Sequence, residues 1–382
     1  MERVDDVIIG GGLAGLSLAC ALLDECVDRR VLVLEARTAY ANDRTWCFWD
    51  VEPHAFASAV RRRWSRWSAQ WQGATHVQGP GRHSYCEIAG EDFYRVARAR
   101  IERDPRAELR LGTPVDRIDP TGSDWSVATP AGVVRARHVF DSRPTHQIAP
   151  ELWQHFAGQR IETAEAAFEP GVATLMDFDR AQDGGIHFFY VLPESEHRAL
   201  VEATWIGPTL FDDAVYTDAI TRYLRDRYGI DHFRVHEEER GRIPMSVRRV
   251  DAHPAPGYYR IGTAGGQVKP STGYAFVHVQ RWSRAMARRL ADSDRPSPPP
   301  ARSRTASLLD SIFLACVRRH PERAPALFAA LFRELDGDAL ARFLSERARP
   351  RDILRVMAAL PKAEFLREAV RPVHWRQALA AG

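Results

Sequence analysis

The sequence predicts an α/β fold in three parts: an N-terminal βαβ unit, an antiparallel sheet in a second subdomain, and a helical C-terminal region. Three observations predict this arrangement. An apolar run meets a cluster of glycines in residues 4–15. Three strand-like runs lie in residues 172–205, and segments with helical apolar spacing fill most of residues 305–370.

The composition is that of a globular protein. The chain has 382 residues, 45% of them hydrophobic and 27% charged, which is enough for two or more domains. A net charge of +3 is too small for neutralising a phosphate backbone, so we expect no nucleic-acid partner. The acidic N-terminus indicates no signal peptide, and no run of about 18 apolar residues predicts a membrane span. These features predict a cytoplasmic location.

The cysteines are odd in number, scattered, and form no CxxC pair. This pattern predicts reduced thiols and neither a disulfide framework nor a metal site. They are Cys20, Cys26, Cys47, Cys86 and Cys316.

The first 35 residues have the pattern of a strand, a glycine turn, a helix and a second strand. Residues 4–9 (VDDVII) end in an apolar run, and residues 13–24 are rich in alanine and leucine without proline. Residues 31–35 (VLVLE) are typical of a buried parallel strand. Together they predict a βαβ unit.

The glycine turn predicts a dinucleotide site. Gly10, Gly12 and Gly15 form G-x-G-x-x-G, in which the glycines allow a tight turn, a close approach to a pyrophosphate, and close packing of helix on strand. The N-terminus of the helix supplies free N–H groups for phosphates. Glu35 ends the second strand, where a carboxylate can accept hydrogen bonds from ribose hydroxyls. A glycine turn without a ligand is the alternative.

The remaining elements are predicted from periodicity and turn residues. A helix is expected at 91–101, short strands within 108–141, three strands within 172–205, a helix at 212–229 and a strand at 258–262. The polar, proline-rich stretch 291–304 is the clear linker. Helices are expected after it at 305–320, 324–336, 339–347, 351–360 and 362–370.

Two segments resemble FAD enzymes of the glutathione-reductase-like superfamily. VIIGGGLAGLSLA matches their N-terminal turn, and VFDSR (139–143) resembles a strand that ends at an acidic residue close to the flavin dinucleotide. In this chain that residue would be Asp141, whose alternative role is to cap a strand end. There is no Asp after Gly262, unlike the Gly-Asp signature of flavin hydroxylases.

Further motifs resemble the bacterial flavin-dependent lycopene cyclase family, in family order from residue 4 to about 290. They are NDRTWCFW (42–49), LMDFD (175–179), FYVLP (189–193), LVEATW (200–205), GRIP (241–244) and GGQVKPSTGY (265–274). The resemblance implies cyclisation of the acyclic ends of lycopene to β-rings with no net redox change, through proton addition, ring closure of a carbocation, and proton loss. It also implies reduced FAD as cofactor and NAD(P)H as its reductant.

The resemblance assigns roles to residues. Glu202, in LVEATW, is the expected acid–base group, and an apolar pocket would raise its pKa. Asp177 and Asp179 share a strand face and are either catalytic helpers or ordinary polar residues of the sheet. Arg44, with Trp46 beside it, is expected near cofactor or substrate. The expected cofactor-binding residues are Gly10, Gly12, Gly15, Glu35, Arg44, Asp141, Gly265, Gly266, Thr272 and Gly273.

Two other functions are also compatible with these motifs. One is an FAD- and NAD(P)H-dependent oxidoreductase, either a hydroxylase or a polyprenyl reductase, with a hydrophobic substrate. The other is a carotenoid- or lipid-binding flavoprotein without turnover.

The motifs also divide the chain into domains. Residues 1–80 and 256–290 are assigned to the FAD-binding part, 81–145 to a mixed segment that returns to it, 146–255 to the substrate subdomain, and 305–382 to the helical region.

The C-terminal residues 341–382 contain nine Lys or Arg and four acidic residues, interleaved with apolar residues that include Trp375. This mixture suits peripheral contact with the inner membrane, where a carotene is dissolved, but also suits an amphipathic helical cap.

Overall fold

The structure is a computed structural model that describes residues 2–25, 28–144, 150–248 and 250–374. Cys26, Trp375 and Arg376 lie outside the described residues. The strands are β1 (Glu2–Ile9), β2 (Val31–Leu34), β3 (Thr45–Trp49), β4 (Arg62–Trp64), β5 (Arg66–Trp71), β6 (Ala74–Gln78), β7 (Tyr85–Ala89), β8 (Ala107–Arg110), β9 (Arg117–Thr121), β10 (Asp124–Thr129), β11 (Gly132–Asp141), β12 (Leu152–Glu162), β13 (Val172–Asp177), β14 (Ile186–Pro193), β15 (Arg198–Gly207), β16 (Arg234–Met245) and β17 (Tyr258–Arg260). The helices are α1 (Leu13–Glu25), α2 (Gly90–Arg103), α3 (Asp213–Tyr228), α4 (Phe276–Asp292), α5 (Arg304–Arg319), α6 (Ala324–Glu334), α7 (Gly337–Leu344), α8 (Pro350–Ala359) and α9 (Lys362–Ala369).

The first sheet contains the predicted βαβ unit. Its strand order is β8-β2-β1-β11-β10-β9, and β17 pairs with the C-terminal part of β11. The strands β8, β2, β1, β11 and β17 are parallel, so their carboxyl ends meet at one edge. Helices α1, α2 and α4 cover one face, where Gln280 Nε2 donates to Ser17 Oγ at 2.6 Å. The α/β class predicted from the sequence is confirmed.

The second sheet is built mainly from antiparallel pairs, in the order β16-β12-β15-β14-β13-β5-β6. The three strands predicted within 172–205 are present as β13, β14 and β15. The sequence assigned residues 1–80 to the FAD-binding part. In the structure, residues 66–78 instead form β5 and β6 of the second sheet, because β5 pairs in parallel with β13. Helix α3 covers one face, and the C-terminal helices pack on the other.

The third sheet, β3-β7-β4, is small and lies between the two larger ones. The five predicted C-terminal helices are present as α5 to α9. The linker before them packs against the first sheet and its helices, since Tyr259 donates its hydroxyl to the Pro296 carbonyl at 2.8 Å and Trp282 Nε1 donates to the Pro299 carbonyl at 2.9 Å. No helix in the described ranges has both the length and the apolar character that crossing a bilayer requires.

Candidate active site

The three glycines of the N-terminal turn have three different surroundings. Gly10 has a φ of 95°, and a Cβ there would overlap the hydroxyl of Ser142. A Cβ at Gly15 would overlap the carbonyl oxygen of Gly10, so glycine is what allows α1 to lie on β1. A Cβ at Gly12 would meet no described atom within 4 Å. The turn therefore has an open side at Gly12, where the N-terminus of α1 presents its free N–H groups.

Glu35 follows β2 beside this turn. Its carboxylate accepts hydrogen bonds from the N–H of Gly11 at 2.6 Å and from the N–H of Arg37 at 2.8 Å. Burial alone would raise the pKa of Glu35, but hydrogen bonds and charge from Arg37, together with the Gly11 N–H, outweigh burial and lower that pKa. Glu35 is therefore an anionic acceptor at neutral pH, as a ribose-binding carboxylate must be.

The end of β11 lies next to the end of β1, with Asp141 opposite Ile9. Asp141 is buried and accepts hydrogen bonds from the Tyr258 hydroxyl at 2.8 Å and from Arg143. Its partners are thus protein groups, whereas the next residue, Ser142, lines the cavity described below. Ser142 was not predicted as a site residue from the sequence. Its position directly after Asp141, at the end of a strand, could have indicated it.

The segment after β17 reaches the same place. Gly262 has a φ of 64°, and a Cβ there would come within 3.0 Å of the Cβ of Ala14 in α1. Thr272 and Gly273 line the cavity beside the glycine turn. Gly265 and Gly266 instead line a separate cavity of about 380 Å³ next to the proline-rich linker. Of the four residues predicted in this segment, the structure therefore brings Thr272 and Gly273 to the candidate site, but not Gly265 and Gly266.

A cavity of about 390 Å³ joins these pieces, and we call it the Glu202 cavity. The glycine turn contributes Gly12 to one wall, and strand β15 contributes Glu202 to another. Arg44 also lines it and forms an ion pair with Asp43 at 3.0 Å. Most of the remaining lining comes from β3, β12, β14, β16 and residues 272–276. The predicted dinucleotide turn and the predicted acid thus share one cavity.

Glu202 faces a second carboxylate across a glycine. Gly158 of β12 pairs with Glu202 on one side and with Glu239 of β16 on the other. A Cβ at Gly158 would lie 2.8 Å from Cγ of Glu202 and 3.3 Å from Cγ of Glu239. The missing side chain at residue 158 is what lets the two carboxyl groups approach each other.

This environment favours a protonated Glu202. Burial raises its pKa well above the ordinary value of 4.5, and the neighbouring Glu239 carboxyl raises it further, while Arg160 opposes the shift. Glu239 in turn accepts a hydrogen bond from the Thr45 hydroxyl at 2.7 Å. Two carboxyl groups that share a site cannot both ionise easily, so Glu202 is the one that keeps a proton.

Arg160 balances a group of acids behind this pair. The buried guanidinium pairs with the fully buried Glu87 at 3.1 Å, with Glu237 at 3.2 Å, and with Glu194. The other carboxylate oxygen of Glu87 has no hydrogen-bond partner among the described residues. The ion pairs link β7, β12 and β16 to one another, which stabilises the position of Gly158 and its two neighbouring glutamates.

Aromatic side chains complete the cavity near Glu202. Tyr85, Tyr190 and Tyr274 line it, and Tyr190 is the cross-strand neighbour of Glu202. Trp49 packs against Tyr85 and Tyr274, with ring centroids 4.8 and 5.3 Å away. Burial raises the pKa of each of the three tyrosines, so they are neutral hydroxyls and aromatic faces at neutral pH.

The structure does not bring Asp177 or Asp179 to this cavity. Asp177 pairs with Phe189, which stacks on Tyr223 of α3, and it accepts the Tyr223 hydroxyl at 2.8 Å. It thus lies on the face of the sheet opposite to Glu202. Strand β13 ends at Asp177, so the expected shared strand face is not formed, and Asp179 instead accepts from the N–H of Gly73 at 3.1 Å. Both aspartates stabilise local structure at a distance from the cavity.

The fold and the cavity define a class of protein: an α/β protein with the fold of dinucleotide-binding enzymes, whose glycine turn opens towards a buried acid. A crystal structure of a geranylgeranyl bacteriochlorophyll reductase-like protein from Thermoplasma acidophilum has this fold, with a TM-score of 0.63, 14% identity, and coverage of 96% of this chain and 98% of that one. The chain belongs to the family described as lycopene cyclase protein, whose model matches residues 5–370.

Curated relatives agree with this family. A lycopene beta-cyclase from a Paracoccus species is 28% identical over 386 residues, covering 94% of each chain. One from Pseudescherichia vulneris is 28% identical over 308 residues, covering 78% of this chain and 75% of the relative. The resemblance stated from the motifs is thereby confirmed over nearly the whole chain.

Proposed function

We propose that this protein is a lycopene β-cyclase that closes the acyclic ends of lycopene into β-rings. The observation that carries the proposal is Glu202, a carboxylic acid kept protonated in an aromatic cavity that also contains the dinucleotide turn. An alkene is a weak base, so a reaction that begins by protonating one needs an acid held in a dry, preorganised site.

FAD fits the residues beside the cavity. The open side of Gly12 and the N-terminus of α1 would hold the pyrophosphate, and the anionic Glu35 would hold ribose hydroxyls. Ser142, Thr272 and Gly273 line the path from this turn towards Glu202. Bound in its reduced form, which NAD(P)H would restore after oxidation, FAD would supply an electron-rich group that stabilises a developing cation.

The side chains of this chain account for the proton transfers. Glu202 donates its proton to the terminal alkene carbon, and the internal alkene attacks the resulting cation to close a six-membered ring. The ring carbocation then loses a proton to a carboxylate, which gives the β-ring and leaves the mass of the substrate unchanged. Glu202, once ionised, is next to Glu239, and the pair can accept that proton and return it to Glu202.

The cavity also stabilises the cation and excludes water. Tyr190 and Tyr274 offer aromatic faces, and a cation near such a face is stabilised by roughly 0.5–2 kcal/mol. Tyr85 also lines the cavity, and the fully buried Trp49 packs against Tyr85 and Tyr274, so this part of the wall is apolar and closed to solvent.

Expression in a lycopene-accumulating bacterium tests the function. We expect the extract to contain the monocyclic and bicyclic products, which have the same mass as lycopene, without NAD(P)H consumption in step with product. Extracts that hold only lycopene, or products altered in mass by hydrogen or oxygen, would refute the cyclase and favour an oxidoreductase.

We further propose that the C-terminal helices contact the inner membrane. Nine large apolar side chains are exposed in the described residues, and five of them lie within residues 354–373. We call these five the apolar rim: Leu354, Met357, Leu366, Val370 and Val373. The exposed Arg351, Lys362 and Arg367 belong to α8 and α9, which also carry part of the rim, and cationic side chains close to an apolar patch favour anionic lipid.

Valine-to-serine substitutions test the membrane contact. We expect the double variant Val370→Ser/Val373→Ser to bind vesicles containing anionic phospholipid about tenfold more weakly in flotation assays, because two apolar side chains no longer leave water on binding. The matched control is Val77→Ser/Val133→Ser, which removes two exposed valines elsewhere and should bind like the wild type. Equal binding of the two doubles would contradict the proposed contact.

A further inference from the structure

A second cavity, of about 650 Å³, lies among the C-terminal helices α5 to α9, and we call it the helical cavity. Its volume is within the range of ligand sites, about 300–1,000 Å³. Its walls are mainly apolar and include Leu309, Phe313, Phe328, Leu331, Phe343 and Ile353. A ligand without polar groups would lose no hydrogen bond on entering it.

Thr272 lines both the helical cavity and the Glu202 cavity, so the two cavities adjoin at this residue. The hydroxyl of Thr272 is buried and has no hydrogen-bond partner within the described parts of the chain. The residues before Thr272 are tied to α5, since Asp310 accepts from Lys269 at 2.5 Å and from Ser271 at 2.6 Å. The segment that borders both cavities is thus held in a defined position, with the Lys269 ammonium group paired to Asp310.

The outer end of the helical cavity coincides with the apolar rim. Leu354, Met357 and Leu366 line the cavity and are also 65%, 54% and 59% exposed. A molecule that left a bilayer at the rim would therefore contact apolar side chains that also line the helical cavity.

We propose that the helical cavity binds the unreacted part of a long acyclic polyene while the reacting end lies beside Glu202. This inference rests on the proposed cyclase function and adds the location of the rest of the substrate. The occupant is a hydrocarbon rather than a polar lipid, because most of the lining is apolar and the buried Lys269 already pairs with both Asp310 and Glu346. Each apolar Å² removed from water contributes about 25 cal/mol, which favours deep burial of a C40 chain.

Two tryptophan variants on α5 test this site. Ala306 lines the helical cavity and is half-buried, whereas Ala315 is half-buried on the same helix and is not part of the cavity lining. We expect Ala306→Trp to keep FAD and its melting temperature but to retain about tenfold less lycopene after incubation with lycopene-loaded vesicles and gel filtration. Ala315→Trp should retain lycopene like the wild type. Leu309→Gln, which adds an amide to the same wall without added bulk, should repeat the loss if the first variant folds poorly.

The outcomes separate this inference from the function. Normal retention of lycopene by folded Ala306→Trp or Leu309→Gln overturns the site even if cyclisation is intact. If the wild type retains lycopene in this way but never cyclises it, the site stands and the cyclase proposal fails. Phospholipid found by mass spectrometry in the wild-type protein, in place of carotene and lost in Ala306→Trp, would assign the cavity to lipid and overturn the inference.

Discussion

Glu202→Gln is expected to reduce ring formation by about 10²–10⁴-fold, the usual contribution of a general acid, while FAD stays bound. The amide has the size of the protonated carboxyl group but cannot donate a proton to an alkene. The measurement is product formation per bound flavin in purified protein. The raised pKa of Glu202 means that ionisation costs stability above pH 4.5, so the variant should melt at least as high as the wild type, by a margin that grows with pH.

Glu238→Gln is the matched control. Glu238 precedes Glu239 on β16 but accepts a hydrogen bond from Gln159 at 2.9 Å instead of facing Glu202. We expect this variant to cyclise lycopene at the wild-type rate. Wild-type turnover by Glu202→Gln would remove this residue from the mechanism.

Glu239→Gln extends the same prediction to the carboxyl pair. Activity requires protonated Glu202, so it is present below the pKa of that group and lost as pH rises through it. Removing the neighbouring carboxylate lowers the pKa of Glu202, and the loss of activity should then begin at a lower pH. If the pH profile of kcat is unchanged while FAD binding is intact, Glu239 does not raise the pKa of Glu202 and the prediction is wrong.

Local signals were enough to predict most of the first sheet. The glycine turn, the short buried strand predicted to end at Glu35, and Asp141 at a strand end each depend on neighbours within about 20 residues. The strands of residues 45–71 were missed because arginines interrupt the apolar alternation, and because β5 pairs with β13 about 100 residues later. Such a pairing leaves no local pattern.

Only part of the candidate site could be predicted, because the rest depends on strand pairing between residues far apart in the sequence. Glu202 was identified through its motif, but its partner Glu239 depends on the register of β12 against two strands. Gly158 within a strand was the available signal, since glycine there often marks a close approach of other groups. Alternation placed Asp177 on one face of a strand but could not tell which face met the cavity, and the structure turns it towards Tyr223.

A pair of alanine variants should separate the two roles of the glycine turn. At Gly12 a methyl group would enter only the open space assigned to the pyrophosphate, so we expect Gly12→Ala to keep the melting temperature of the apoprotein while FAD affinity falls by at least about tenfold. At Gly15 the methyl group would collide with the backbone of Gly10, so Gly15→Ala should lower both the apoprotein melting temperature and the FAD content.

Each variant serves as the control for the other, because both add one methyl group within the same turn. The measurements are the apoprotein melting temperature and FAD binding followed by flavin fluorescence. Wild-type FAD affinity in Gly12→Ala would mean that the pyrophosphate does not lie at this turn, which would contradict the cofactor site itself. A stable Gly15→Ala apoprotein would instead show that α1 can move away from β1, and the close packing inferred at that glycine would be incorrect.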